Sequence, residues 1–174
     1  ATSAARASWS PCRPTHERVE NLSYRPMLNI HATALVVGDR GLVILGPSGS
    51  GKTTLAAALV ARFSQAGAFS RLVGDDQLFA EARGGRLVLR VPATIAGLAE
   101  VPGLGPRPVR FEPAAVIDMA IRLVPPHEVQ RFQEEAVEIV AGCRLPLVAL
   151  AERDVVPALV AVPAALAALP FRRD

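Results

Sequence analysis

The sequence is poor in aromatic residues and has no apolar stretch long enough to cross a membrane. Aromatic side chains make up 5% of the 174 residues and hydrophobic residues 51%, so we predict a core of aliphatic side chains. The segment closest to a membrane span, Val155 to Leu169, is too short and contains Pro157 and Pro163. These shortages favour a globular domain with no contact to a membrane.

Cysteine is scarce, and neither charge sign is in large excess. Cys12 and Cys143 lie far apart, and their spacing fits no metal-binding motif. Two thiols in a reducing cytoplasm are the expected state, and one disulfide between them is the alternative that the sequence leaves open. The net charge is only +3, and it comes from scattered arginines. We therefore predict a cytoplasmic protein that binds no nucleic acid.

Lysine is the rarest charged residue, because Lys52 is the only one in the chain. It belongs to a segment that matches G-x-x-x-x-G-K-[ST] at every position: Gly46, Pro47, Ser48, Gly49, Ser50, Gly51, Lys52 and Thr53. An apolar run (residues 41–45) precedes this glycine-rich loop, and strong helix formers (residues 54–63) follow it. A strand, a glycine-rich turn and a helix N-terminus together form a cradle for phosphate groups. The motif predicts a nucleotide-binding loop.

Two side chains of this loop have expected roles. Lys52 should be solvent-facing without a ligand and should reach the β- and γ-phosphates of a bound nucleotide. The Thr53 hydroxyl should ligate Mg²⁺.

The rest of the pattern predicts an α/β P-loop domain over residues 27–174, with a mixed β-sheet. Strands are expected at residues 28–37 and 41–45, joined as a β-hairpin before the loop, and at 71–74, 77–82, 86–91, 114–124, 136–140 and 144–150. Helices are expected at residues 51–65 and 155–169, the second with Asp154 as its N-cap. Residues 92–113 are rich in Pro and Gly and are predicted to form a functional loop.

Residues 1–26 differ in composition from the remainder. They are rich in Ala, Ser, Arg and Pro and show no apolar periodicity. We expect a disordered leader or a start assigned too far upstream, with Met27 opening the domain.

Three carboxylates are candidates for the chemistry that follows nucleotide binding. Asp75 and Asp76 end a predicted strand, and the carboxyl ends of strands face the ligand in open α/β sheets. Both are therefore candidates for the γ-phosphate region, and one is a candidate base; a solvated turn is the alternative. Asp118 follows apolar residues and is a rival metal-holding acid, or else a strand residue satisfied by hydrogen bonds.

Two further residues are weak signals when taken singly. A lone strand histidine such as His31 is more often structural than catalytic. A lone loop glutamate such as Glu100 is more often solvated than a metal ligand.

Together these blocks resemble the C-terminal catalytic domain of the HPr kinase/phosphorylase family. The order is His31-Ala32 on a strand, GPSGSGKT, RLVGDD (residues 71–76) and EVPGLG (residues 100–105). The resemblance covers about residues 28–125. The short opening from Met27 resembles the bacterial form that lacks the N-terminal domain of the family.

The resemblance implies a serine kinase that uses ATP and Mg²⁺ and acts on the phosphocarrier protein HPr or a paralogue. It implies that Lys52 binds the phosphates, that Asp76 is the base for the serine proton, and that His31 lies near the transferred phosphate. Thr53 and Glu100 are implied as Mg²⁺ ligands. The sequence is compatible with a homo-oligomer.

The sequence also departs from the family pattern. Pro102 stands where the family usually has an arginine, and a glycine-arginine-asparagine stretch near the C-terminus has no clear match. Reversal of the reaction by inorganic phosphate is therefore not predicted. A nucleotide-binding regulatory module with little catalysis is one alternative. A small-molecule kinase is another, although an arginine-rich lid is missing.

Overall fold

The computed structural model describes residues 27–101, 103–131, 133 and 136–169. The strands in chain order are β1 (Leu28–Ile30), β2 (Thr33–Val37), β3 (Arg40–Leu45), β4 (Ser70–Gly74), β5 (Leu78–Arg83), β6 (Arg86–Arg90), β7 (Leu98–Val101), β8 (Gly105–Pro108), β9 (Ala114–Ile117), β10 (Met119–Val124), β11 (Ala136–Val140) and β12 (Cys143–Ala151). The helices are α1 (Lys52–Gln65) and α2 (Val155–Ala168), with a short 3-10 helix at Pro126–Glu128. The expected leader, residues 1–26, lies outside the described residues.

The largest sheet has six strands in the order β11-β12-β10-β3-β2-β4. Strands β3, β10 and β12 are parallel to one another, and β2 is antiparallel to both β3 and β4. Consequently β3, β4, β10 and β12 all run in one direction and end at one edge of the sheet. The predicted α/β class, mixed sheet, β2–β3 hairpin and C-terminal helix are confirmed.

The two faces of this sheet are covered by different layers. Alternate residues of β3 point to opposite faces, as the pleat of a strand requires. Leu42 and Ile44 join a buried cluster with Leu59 of α1 and Val162 of α2. Val43 lies in the other cluster, with residues of the four-stranded sheet β1-β5-β6-β9. The six-stranded sheet is therefore sandwiched between two helices and a second sheet. No helix among the described residues is long and apolar enough to cross a membrane.

Three segments differ from the strands expected from the sequence. The run 28–37 is two strands, because the chain leaves β1 at His31 and enters the larger sheet at Thr33. The run 114–124 is broken at Asp118 into β9 and β10, which also belong to different sheets. Residues 92–113 contain the antiparallel hairpin β7–β8 in addition to loop. A continuous apolar run does not reveal that its two halves pair with different partners.

Asp118 lies far from the glycine-rich loop and has a structural role. Its Oδ2 accepts the backbone N–H of Gly41 at 2.8 Å, and its own N–H donates to the Gly41 carbonyl at 2.8 Å. Its Oδ1 accepts from Arg86 at 2.8 Å. Gly41 lies at the start of β3, whereas the glycine-rich loop follows its end, so Asp118 is at the opposite edge of the sheet. The idea that Asp118 holds the metal is wrong. Its alternative, an aspartate satisfied by hydrogen bonds, is confirmed, although Asp118 lies in the break between β9 and β10 and not within a strand.

We expect Asp118→Ala to lower the stability of the domain without affecting nucleotide binding. The substitution leaves a buried backbone N–H and an arginine without their acceptor, which costs about 1–3 kcal/mol. At about 2–4 °C per kcal/mol for a chain of this size, the melting temperature should fall by about 2–12 °C. Asp39→Ala is the matched control, because that side chain is 74% exposed. Equal melting temperatures for the two variants would contradict the structural role.

Candidate active site

Most of the predicted site residues lie at the edge where the four parallel strands end. The glycine-rich loop follows β3, and Asp75 and Asp76 follow β4. Strand β2 runs the other way and begins at this edge, so Thr33 and the preceding His31 are there as well. The sheet topology therefore brings together residues that are far apart in the sequence.

The backbone of the glycine-rich loop has the conformation of an anion cradle. Gly46, Gly49 and Gly51 have φ values of 154°, 74° and 94°, which residues with a Cβ rarely adopt. A Cβ on Gly46 would lie 2.9 Å from the Ser50 hydroxyl and 3.1 Å from the Leu123 Cβ, so only glycine fits there. The Ser50 hydroxyl is buried and has no hydrogen-bond partner among the described residues. A compact turn with an unused buried donor fits the phosphate groups of a nucleotide.

Lys52 differs from the sequence expectation in one respect. It is only 5% exposed, so the expectation of a solvent-facing side chain is wrong. Its Nζ donates to the Gly46 carbonyl at 3.1 Å and to the Pro47 carbonyl at 2.9 Å. The ammonium therefore closes the loop on itself and has one of its three donors left for a phosphate oxygen.

Asp75 is the carboxylate that contacts the loop. Its side chain is buried, and the Thr53 hydroxyl donates to it with both carboxylate oxygens at 2.9 Å. The Thr33 hydroxyl donates to Oδ1 at 2.6 Å and holds the carboxylate from the other side. A bulge lies nearby, because Ala34 pairs with Gly74 and Leu35 pairs with Leu72. Bulges redirect the side chains next to them. Here the bulge lies just before Asp75 and is placed to direct its carboxylate towards Thr53.

The pair Thr53–Asp75 is a suitable place for a hard cation. A hydroxyl and a carboxylate next to nucleotide phosphates are oxygen ligands of the kind that Mg²⁺ prefers. The sequence placed Asp75 near the γ-phosphate but gave it no metal role. The signal was available: Asp75 directly follows a strand that contains the apolar residues Leu72 and Val73, which is close to the requirement that was applied to Asp118.

Asp76 and His31 are neighbours at the surface. Asp76 is the centre of a three-residue γ-turn, because the Gln77 N–H donates to the Asp75 carbonyl at 2.9 Å. Its φ of 67° is unusual for a residue other than glycine, and such strain is most common at functional sites. Asp76 Oδ1 is 3.8 Å from His31 Nε2, and the side chains are 56% and 50% exposed. The turn therefore points Asp76 away from the buried Asp75 and towards solvent.

Glu100 is not joined to these residues in the structure. It is an exposed residue of β7 and pairs with Pro106 of β8. Within the described residues, no hydrogen bond or ion pair links it to Thr53 or Asp75, and no group of three His, Cys, Asp or Glu side chains is arranged to hold a metal ion. Its role as a Mg²⁺ ligand stays a prediction. Pro102 lies outside the described residues.

Comparison with known proteins gives matches among solved structures. Neither the family models nor the curated proteins gave a match to this sequence. Among solved structures, the chain is similar to the HPr(Ser) kinase/phosphatase from Coxiella burnetii, with a TM-score of 0.68 and 22% identity. The match covers 80% of this chain and 97% of that one. The fold is that of an HPr kinase. The resemblance drawn from the sequence is confirmed at the level of the fold.

Proposed function

We propose that this protein is an ATP- and Mg²⁺-dependent kinase that phosphorylates a serine of a phosphocarrier protein of the HPr type. The observation that carries the proposal is the meeting of three units at one edge of the sheet. These are the glycine-rich loop with Lys52, the Thr53–Asp75 pair and the His31–Asp76 pair. A phosphate cradle, a cation site and an exposed carboxylate are the parts that phosphoryl transfer requires.

The residues have separate tasks in this proposal. The loop amides and Lys52 bind and orient the phosphates, while Thr53 and Asp75 hold Mg²⁺, with Glu100 as a further ligand. When bound, Mg²⁺ neutralises charge on the phosphate oxygens. Asp76 aligns the serine hydroxyl and accepts its proton at a carboxylate oxygen, and His31 lies beside it. Catalysis then rests on positioning and electrostatic stabilisation.

The exposure of the His31–Asp76 pair favours a protein acceptor. A small-molecule kinase needs a concave pocket that encloses most of its acceptor. Here the two side chains are half exposed, so a serine on the surface of another protein can reach them. The similar protein from Coxiella burnetii is an HPr(Ser) kinase/phosphatase, which supports a serine of an HPr-like protein as the acceptor.

Incubation with labelled ATP and purified phosphocarrier proteins from the same cell tests this proposal. We expect Mg²⁺-dependent label that is stable on a serine of one phosphocarrier. A serine-to-alanine variant of that phosphocarrier is the control and should take up no label. Binding of ATP without label on any phosphocarrier would instead favour the regulatory module.

Asp75→Asn and Glu100→Gln should each raise the Mg²⁺ concentration needed for half-maximal activity. Both substitutions keep the shape of the side chain and remove the charge that attracts a hard cation. We expect a rise of about 10–100-fold for Asp75→Asn, as for other groups that hold or orient a metal ligand, and a smaller change in the ATP requirement. The measurement is a Mg²⁺ titration at saturating ATP. An unchanged curve for Glu100→Gln would make Glu100 an ordinary exposed residue of β7.

A further inference from the structure

The turn between β12 and α2 makes two contacts with the glycine-rich loop. The backbone N–H of Arg153 donates to the Ser50 carbonyl at 3.0 Å. The Arg153 Nε donates to the Gly49 carbonyl, also at 3.0 Å. One residue near the C-terminus of the chain therefore holds two successive carbonyls of a loop that lies 104 positions away.

These carbonyl contacts determine where the loop amides point. In a planar trans peptide unit, the C=O of one residue and the N–H of the next point in opposite directions. Holding the Gly49 and Ser50 carbonyls on Arg153 therefore directs the N–H groups of Ser50 and Gly51 to the opposite side, the inner side of the loop. The Ser50 N–H makes a long contact of 3.3 Å to the Pro47 carbonyl, and the Gly51 N–H has no hydrogen-bond partner within the part of the chain that the structure describes. Both donors are placed for an anion in the cradle.

The turn itself is strained and firmly held. Arg153 has a φ of 60°, a left-handed conformation that residues with a Cβ seldom adopt. The preceding residue, Glu152, donates its N–H to the Val124 carbonyl at the end of β10 at 2.9 Å. A Cβ on Gly51 would lie 3.5 Å from the Arg153 backbone nitrogen, so turn and loop are in close contact. An arginine kept in this conformation against the loop points to a role in shaping it.

We propose that Arg153 is a positioning residue that keeps the glycine-rich loop in its phosphate-binding form. It acts through the Gly49 and Ser50 carbonyls, and it links the start of α2 to the nucleotide site. The inference rests on the proposed function only in requiring that the loop binds a nucleotide. It needs no phosphoryl transfer, so it can be tested by binding alone.

The experiment measures dissociation constants for Mg·ATP and for inorganic pyrophosphate by calorimetry, together with the melting temperature. Arg153→Gly removes the Nε contact but tolerates the φ of 60° and keeps the backbone N–H. We expect the melting temperature to stay the same or rise, because the backbone strain is relieved. Both dissociation constants should rise about 10-fold, the usual effect of losing one charge-assisted hydrogen bond. The KM for ATP should rise with little change in kcat.

Two further variants separate the contact from the charge. Arg144→Ala removes an exposed arginine at the other end of β12, about 30 Å from Arg153, and should bind both ligands like the wild type. Arg153→Lys keeps the charge but has a methylene where arginine has its Nε–H, so it should bind more weakly than the wild type, about 3–10-fold. If Arg153→Gly does not fold, Arg153→Lys carries the test.

The outcomes distinguish the positioning role of Arg153 from the proposed kinase function. The positioning role would be overturned, and the proposed function would stand, if the dissociation constants of Arg153→Gly equalled those of the wild type. Where Arg153→Gly does not fold, the same result for Arg153→Lys would have the same meaning. The same would follow if Arg144→Ala weakened binding as much as Arg153→Gly, since the effect would then come from net charge. A wild-type protein with no affinity for either ligand would overturn both.

Discussion

Lys52→Ala should weaken ATP binding by at least about 100-fold, equivalent to about 2.7 kcal/mol, and should leave the domain folded. The ammonium is a buried cation inside the loop, with the Gly46 and Pro47 carbonyls as its partners. A charge in such a sheltered position interacts with phosphate oxygens more strongly than one in water does. The measurement is calorimetry with Mg·ATP.

The burial of Lys52 adds an expected cost in stability. Removal of its side chain leaves two loop carbonyls without their donor, at a cost of about 1–3 kcal/mol. Because that range corresponds to a fall of about 2–12 °C in the melting temperature, the assay should be run well below the lowered melting temperature. Lys52→Met, which keeps an unbranched stem, should lose the same affinity. The control is Arg62→Met, which removes an exposed cation at the other end of α1. If Lys52→Ala and Arg62→Met bind ATP equally well, the loop does not bind the nucleotide as proposed.

The parts of the site that are local in sequence could be predicted, and the contacts between them could not. The glycine-rich loop, the strand before it and the helix after it are contiguous, so one motif specifies all three. The contact between Thr33 and Asp75 joins residues 42 positions apart, and the Arg153 contact spans 104 positions. Spacing carries no information about such pairs, because they depend on the order of strands in the sheet. A resemblance to a family was needed to connect His31 with Asp76.

The missed hairpin β7–β8 has a specific physical reason. Its strands contain prolines, with Pro106 opposite Glu100 and Pro108 opposite Leu98. Proline normally argues against a strand because it cannot donate to a ladder. In a two-stranded sheet, each strand has one edge without a partner strand, where the missing N–H is not needed.

The environment of Lys52 was mispredicted for a related reason. The sequence shows that the loop suits an ammonium, but it does not show which groups surround that ammonium before a ligand binds. The loop carbonyls of Gly46 and Pro47 are its acceptors, and both accept hydrogen bonds from the Lys52 ammonium. A buried cation must be hydrogen-bonded, so an unliganded loop folds around its own lysine.

Asp76→Asn should lower serine phosphorylation by about 10²–10⁴-fold, the usual effect of a positioned general base. Asparagine tolerates the left-handed φ of 67° at least as well as aspartate does, so the γ-turn should persist. The amide still accepts a hydrogen bond from the serine hydroxyl but cannot take its proton. ATP affinity should hardly fall, because Lys52 and the loop amides hold the nucleotide. The loss of a negative charge near the phosphates can even strengthen it.

The same variant separates a kinase from a regulatory module, provided that two quantities are measured on one preparation. These are the rate of serine phosphorylation of the phosphocarrier and the dissociation constant for Mg·ATP. For a kinase, the rate falls and the affinity is kept. For a regulatory module, Asp76→Asn changes the affinity or the response to nucleotide, and there is no transfer rate to lose. Asp39→Asn makes the same change at an exposed residue near the opposite edge of the sheet and should alter neither quantity. A wild-type rate that survives in Asp76→Asn would mean that another group accepts the serine proton, and His31, 3.8 Å away, would be the next residue to replace.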